Sequence, residues 1–119
     1  MKRLSILAGL LVALFLVHEI IPSTGIVFSF KRFPFKRKPK FERPYRRQED
    51  VCERSDECVN SAGIEKVRCT RMCISSFCYD EIYRFDELEE GEIDIRLSSF
   101  KGCFTQERKK ARILKDTNL

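Results

Sequence analysis

Six cysteines constrain this chain more than any other feature, because all of them follow residue 50 in a sequence of 119 residues. They are Cys52, Cys58, Cys69, Cys73, Cys78 and Cys103. An even number of cysteines behind an apolar N-terminus is typical of a disulfide framework in a secreted protein. A domain of about 70 residues buries too little apolar surface to be stable without covalent or metal crosslinks. The cysteines therefore predict a small domain crosslinked by disulfides.

A zinc site is the alternative interpretation of the same cysteines. The only histidine, His18, lies in the apolar N-terminal segment, so zinc would need four cysteine ligands. None of the spacings gives the Cys-x-x-Cys pair that is typical of zinc sites and of redox centres. We therefore expect disulfides, no metal and no cofactor.

The N-terminus has the pattern of a signal peptide. Two cations precede an uncharged, mostly apolar run over residues 4–17. That length is typical of a signal peptide and too short to cross a bilayer comfortably. Pro22 ends any continuing helix, and small residues lead up to Gly25. We predict a signal peptide over residues 1–25, cleaved near Gly25.

A signal anchor is the alternative for this segment. Residues 4–30 are long enough to span a bilayer if Glu19 is accommodated, at a cost of about 2 to 3 kcal/mol. The basic residues that follow would then stay in the cytosol and hold the cysteines in a reducing compartment. We therefore predict a secreted, extracellular protein, with a membrane-anchored protein of the secretory pathway as the alternative.

The net charge of +5 is divided unevenly along the chain. Residues 31–47 carry nine Lys or Arg and one acid, whereas residues 48–119 carry twelve basic and sixteen acidic residues. Proline and like charges disfavour packing, so residues 26–47 are predicted to be a disordered basic linker. Such a linker makes weak contacts with anionic membranes or polyanions. Because the cysteine-rich domain, residues 48–119, is itself acidic, we expect no nucleic-acid binding.

Three dibasic pairs lie in this linker: Lys31-Arg32, Lys36-Arg37 and Arg46-Arg47. Convertases of the secretory pathway bind extended basic chains in acidic clefts. Cleavage after the last pair would leave Gln48 as the new N-terminus. Arg46 and Arg47 are therefore the candidate processing site, and an uncleaved spacer is the alternative.

The cysteine-rich domain is predicted to be mostly helical. Residues 47–60 predict a short helix carrying the first two cysteines, and the glycine and serine near residue 62 predict a turn. Residues 64–85 predict a second helix, on which Cys69, Cys73 and Phe77 share one face. A third helix is predicted over residues 92–107, because apolar residues recur there at helical spacing. That apolar stripe comprises Ile93, Leu97, Phe100 and Phe104.

The order of the cysteines favours one pairing. Two antiparallel helices that meet near residue 62 bring together residues equidistant from the turn. Cys58 then pairs with Cys69 and Cys52 with Cys73, which leaves Cys78 for Cys103. Six cysteines allow fifteen connectivities, and this is the one that a hairpin favours. The predicted fold is a small, mostly α, disulfide-rich domain: a helical hairpin plus a third helix, preceded by the signal peptide and the disordered linker.

Acidic residues are concentrated between the last two cysteines. A calcium loop needs oxygen ligands at fixed offsets. An EF-hand register begun at Asp86 fails, because Leu88 and Leu97 fall at ligand positions. We interpret the segment as a candidate interaction surface, with a solvated acidic face or an intramolecular partner for the basic linker as the alternatives. The surface comprises Glu89, Glu90, Glu92 and Asp94.

No catalytic centre is expected. Beyond the leader the sequence has no histidine to act as a base, no redox cysteine pair and no glycine-rich phosphate loop. The predicted function is therefore a non-enzymatic extracellular binding or signalling polypeptide with an unknown protein partner or receptor. The alternatives are a signal-anchored endomembrane protein whose lumenal cysteine domain docks a partner, and a cationic antimicrobial protein.

A motif of cysteines, aromatic residues and acids runs through residues 69–103. It comprises Cys69-x3-Cys73-x4-Cys78-Tyr79, Tyr83, Leu88-Glu89-Glu90-Gly91-Glu92-x-Asp94, Arg96, Phe100-Lys101 and Cys103. This motif resembles a family of small, uncharacterised eukaryotic proteins of the secretory pathway. The resemblance implies a secretory or endomembrane setting. It supplies no activity, ligand or catalytic residue.

Overall fold

The protein is described here by a computed structural model that covers residues 2–18 and 28–118. Within these ranges the chain forms five α-helices and no strand. The predicted class, a small, mostly helical domain with three disulfides, is confirmed. The helices are α1 (Lys2–His18), α2 (Pro39–Glu53), α3 (Gly63–Ile74), α4 (Ser76–Ile82) and α5 (Leu97–Thr117).

Helix α1 contains the apolar run of the predicted leader, and its leucine side chains are exposed. The predicted cleavage near Gly25 lies outside the described residues, as do residues 26–27 of the predicted linker. Across residues 2–18 and 28–118, no helix is both long enough and apolar enough to cross a membrane.

Helix α2 begins inside the segment predicted to be a disordered linker. The carbonyl of Lys38 accepts hydrogen bonds from the amides of Phe41 (2.9 Å) and Glu42 (3.0 Å), which starts the helix. Pro39 occupies the first helical position, where its missing amide removes no helical hydrogen bond. Proline therefore favours the start of this helix, contrary to the prediction that the prolines of this segment oppose order.

Tyr45 fixes α2 to the rest of the domain. Its ring is 1% exposed and meets the rings of Phe100 and Phe104 edge-on, with centroids 6.2 and 5.8 Å away. Full burial of an aromatic ring contributes about 2 to 3 kcal/mol. The prediction of disorder is therefore wrong for residues 39–47, because this burial outweighs the repulsion between their cations.

The remaining helices also differ from the predicted bounds. Helix α2 ends at Glu53, so Cys58 lies in the turns that follow and not in a helix. The predicted second helix is broken at Ser75, whose hydroxyl accepts a hydrogen bond from the amide of Cys78 (3.0 Å) and caps α4. Serine is strongly preferred at such a cap because it satisfies an amide that has no helical partner. Phe77 consequently leaves the face of Cys69 and Cys73 and is exposed.

The third predicted helix begins later and extends further than expected. Helix α5 starts at Leu97, so Ile93 lies in the preceding loop and is 84% exposed. Phe100 and Phe104 are buried as the apolar spacing predicts. The core consists of aliphatic, aromatic and cysteine side chains from α2 to α5: Tyr45, Cys52, Ile74, Cys78, Tyr79, Ile82, Tyr83, Phe100, Cys103 and Phe104.

The extended residues 28–38, here called the arm, lie against α5. Phe33 packs on the core, and its amide donates to the hydroxyl of Ser99 at 3.4 Å. The arm approaches α5 most closely at Gly102, where an added Cβ would lie 2.7 Å from the carbonyl oxygens of Phe33 and Pro34. A glycine in mid-helix thus makes room for the arm backbone.

Candidate functional site

The six cysteines form three disulfides: Cys52–Cys73, Cys58–Cys69 and Cys78–Cys103. These are the same three pairs that the hairpin arrangement favours. None of the six, all of which lie in the described part of the chain, keeps a free thiol. Disulfides of this kind form and persist in oxidising compartments, so the domain belongs to an oxidising secretory or extracellular environment.

The acidic segment folds back onto cations of the domain. Asp94 has a side chain only 12% exposed and pairs with Arg71 at 2.5 Å. The same carboxylate accepts hydrogen bonds from the Tyr83 hydroxyl (2.8 Å) and from the amide of Arg96 (2.9 Å). Asp94 is therefore an internal counter-ion and not part of an exposed interaction surface. The sequence spacing alone gave no sign of this, because its partner lies on α3.

The other three predicted surface residues remain exposed on the loop between α4 and α5. Glu92 accepts a hydrogen bond from the amide of Glu89 (3.0 Å), which tightens the loop around Gly91, whose φ is +79°. Glu90 is also exposed. Within residues 2–18 and 28–118, no three His, Cys, Asp or Glu side chains are grouped closely enough to hold a metal ion.

Arg96 is a buried cation at the centre of this loop. It is 1% exposed, and its guanidinium lies 4.6 Å from the Tyr83 ring centroid and 5.2 Å from that of Phe28. It donates to the backbone carbonyls of Asp86 (2.6 Å) and Ile82 (3.3 Å). A buried charge is tolerated only with such partners. Arg96 therefore holds the loop to the end of α4, a role that the sequence analysis missed.

The three tyrosines are held in their neutral form. Burial, reinforced by the carboxylate of Glu49, raises the pKa of the Tyr45 phenol far above its ordinary value. Burial also raises the pKa of Tyr83, an effect that the neighbouring Arg71 partly opposes. The pKa of Tyr79 is raised by burial and by the carboxylate of Glu87. All three phenols pack in the core, the Tyr83 hydroxyl donates to Asp94, and none is suited to act as a base near neutral pH.

The candidate processing site lies in a helix. Arg46 and Arg47 are exposed in the middle of α2, next to the buried Tyr45. A protease that binds extended chain would need α2 to unwind locally at this position. The pairs Lys31-Arg32 and Lys36-Arg37 lie in the extended arm, in the conformation that such proteases bind.

A groove between α2 and α5, here called the basic groove, combines cations with an apolar floor. Its volume is about 390 Å³. None of the residues that line it is acidic, and within the described residues none of its four cations forms a salt bridge. Its lining residues are Lys40, Phe41, Pro44, Thr105, Arg108, Lys109 and Arg112.

Arg108 is a partly buried cation of this groove that has other cations near it. Its guanidinium is partly desolvated and lies 5.7 Å from the ring centroid of Phe104. Burial first, and then the charges of Arg112 and Arg47, lower the pKa of Arg108. The arrangement favours an anion that would relieve this repulsion. The sequence analysis missed the groove because it treated residues 39–47 as disordered, although Arg108, Arg112 and Lys115 recur at helical spacing.

Comparison with known proteins places the chain among proteins without an assigned activity. No curated protein matches it, and no solved structure matches it. The family described as a domain of unknown function (DUF4787) matches residues 42–103. This region covers just over half of the chain and contains all six cysteines, Tyr45 and Arg96. The protein therefore belongs to the DUF4787 family.

Proposed function

We propose that this protein is a secreted, non-enzymatic polypeptide whose crosslinked domain binds a partner outside the cell. The observation that carries the proposal is the placement of the three disulfides. They join α2 and the following turn to α3, and α4 to α5. Every helix of the core is thus tied to another by a covalent bond, which fixes the surface that a partner would meet.

The energetics of a small domain support an oxidising destination. The disulfides join residues 21, 11 and 25 positions apart, and each bond contributes about 2 to 4 kcal/mol by restricting the unfolded chain. Together, the three disulfides contribute an amount comparable to the whole free energy of unfolding of a typical small domain. A reducing compartment would remove it.

A binding role fits the distribution of polar groups better than catalysis does. The cysteines are oxidised, the tyrosine phenols stay neutral, and Asp94 is occupied by Arg71 and Tyr83. The exposed charges that remain are suited to recognition of a charged surface. We therefore keep the expectation that the protein is not an enzyme.

Secretion is tested by expressing the full chain with a C-terminal tag and following it in medium and membranes. We expect oxidised protein in the medium. A variant with Leu10→Arg and Leu11→Arg, which interrupts the apolar run of α1, should lose secretion, whereas Ser5→Thr should not. Protein that resists carbonate extraction and retains residues 2–18 would instead support the signal-anchored alternative, for which the exposed leucines of α1 are the favouring observation.

Binding is tested by adding labelled oxidised protein to cultured cells. Saturable binding that unlabelled protein displaces is expected. Reduction and alkylation of the cysteines should abolish it, because the helices then lose their fixed arrangement. Equal binding by the reduced chain would contradict a role for the crosslinked surface.

A further inference from the structure

Two rows of cations lie on the helices that form the basic groove, and Lys40, Arg108 and Arg112 from these rows line it. Lys40, Arg43 and Arg47 recur at intervals of three and four residues and so share one face of α2. On α5, Arg108, Arg112 and Lys115 recur at intervals of four and three. Each row extends about 10 Å along its helix. The groove therefore presents an elongated array of positive charge and not a single point charge.

The acids near this array are engaged elsewhere or lie at its end. Glu42 pairs with Lys101 at 3.1 Å, and Glu107 accepts a hydrogen bond from the hydroxyl of Ser75 at 2.5 Å. Asp116 is the remaining acid on the last turns of α5, beyond Lys115, and forms no salt bridge within the described residues. No acid lines the groove itself, so its four cations present a positive field to an external anion.

We propose that the basic groove binds a linear sulfated polysaccharide of the cell surface or extracellular matrix. This inference rests on the proposed function, because such polymers lie outside the cell. A linear polyanion matches two elongated rows of cations. The planar guanidinium groups of Arg108 and Arg112 offer the forked donors that tetrahedral oxyanions accept. Clusters such as Arg108-Lys109-Lys110 are typical of heparin-binding patches.

A sulfated polymer fits this face better than an anionic bilayer does. Membrane-surface helices place a continuous apolar face opposite their charges. On helix α5 the side chains of Ile113 and Leu114 are 54% and 63% exposed. At about 100° of rotation per residue, Lys110 and Thr117 lie between these two positions around the helix axis. No continuous apolar face forms there, and bilayer binding is kept as an outcome of the test.

The test measures binding of the oxidised full chain to a heparin oligosaccharide and to its desulfated form, at several salt concentrations. We expect affinity for the sulfated form only, falling steeply with salt because bound counterions are released. The double variant K109E/R112E should bind about tenfold more weakly or worse and show a shallower salt dependence. The matched control R32E/R84E changes net charge equally at exposed positions away from the groove and should bind nearly as the parent does.

Besides a failure to bind heparin, two results would overturn the inference. One is an equal loss of affinity in both double variants, which would mean that only net charge matters. The other is binding to phosphatidylserine vesicles that is stronger than binding to heparin and is lost when Ile113→Ser and Leu114→Ser are combined. The disulfide pattern and near-ultraviolet dichroism show whether each variant is folded. If K109E/R112E is misfolded, K40Q/K109Q takes its place, and a smaller loss of affinity is expected from it. A secreted protein that fails to bind heparin contradicts this inference alone, whereas a retained protein that binds it contradicts only the proposed function.

Discussion

At the scale of single residues, Arg96 shows how one cation organises the acidic loop. Its guanidinium lies beside the Tyr83 ring and binds two backbone carbonyls at the end of α4. Its amide binds Asp94, which also pairs with Arg71. Asp94 therefore acts within the molecule, as a counter-ion of the domain, whereas Glu89, Glu90 and Glu92 stay exposed. The sequence predicted Asp94 to belong to an exposed interaction surface, because it could not identify a partner that only the fold brings close.

Replacing Arg96 with methionine should lower the free energy of unfolding by about 3 kcal/mol, measured by urea denaturation of the oxidised protein. The physical reason is that two buried carbonyls lose their donor and the charged network loses its centre. Arg84→Met is the matched control, because Arg84 is exposed, and its effect should stay within about 0.5 kcal/mol. Equal effects of the two variants would show that Arg96 is not the organising residue.

At the scale of elements, the arm depends on one glycine. The carbonyl oxygens of Phe33 and Pro34 lie where a Cβ of residue 102 would stand. Lys31 adds an ion pair to Glu81 at 2.7 Å, although both side chains remain partly exposed and such a pair contributes little. The arm is therefore held mainly by backbone fit and by Phe33.

Gly102→Ala should release the arm while leaving α5 intact. Alanine favours the helix by up to about 1 kcal/mol, but its Cβ collides with the arm at a cost of about 1 to 3 kcal/mol. Cleavage by trypsin after Arg32 and Arg37 should accelerate about tenfold or more, because it follows the open population. Lys110→Ala, at an exposed position of the same helix, should leave cleavage unchanged. Unchanged cleavage in Gly102→Ala would contradict the close packing of the arm.

Much of the helical pattern could be predicted because it rests on local spacing. The apolar positions of Phe100 and Phe104 and the arrangement of cysteines about residue 62 are properties of sequence order. The start of α2 could not be predicted in this way. Its local composition favours disorder, and only the burial of Tyr45 against α5 overturns that preference. The basic groove was missed for the same reason, since three of its seven lining residues come from that helix.

At the scale of the whole molecule, burial in the core controls the ionisation of the tyrosines. The chain has three tyrosines, Tyr45, Tyr79 and Tyr83, and all are buried with raised pKa values. The folded state therefore holds the phenolic protons more tightly than the unfolded state, whose tyrosines ionise near pH 10. Their stabilising contribution is complete below about pH 10 and is lost as the pH rises toward the folded values.

Alkaline titration should consequently ionise all three tyrosines together with unfolding. Each one lowers the free energy of unfolding by about 1.4 kcal/mol per pH unit above pH 10. Tyrosinate absorbance and near-ultraviolet dichroism should change in the same pH range, whereas the reduced, alkylated chain should titrate near pH 10. A tyrosine that ionises near pH 10 while the dichroism stays native would contradict the described core.

The secreted, crosslinked domain is tested most directly by the disulfide map and N-terminus of protein collected from the medium without reducing agent. Trypsin cleavage after Arg54, Arg68 and Arg71 and chymotrypsin cleavage after Phe77 separate the first five cysteines. We predict the linked peptides Cys52–Cys73, Cys58–Cys69 and Cys78–Cys103 and an N-terminus beyond residue 18. Free thiols, a bond from Cys69 or Cys73 to Cys103, or a chain that retains residues 2–18 would contradict it.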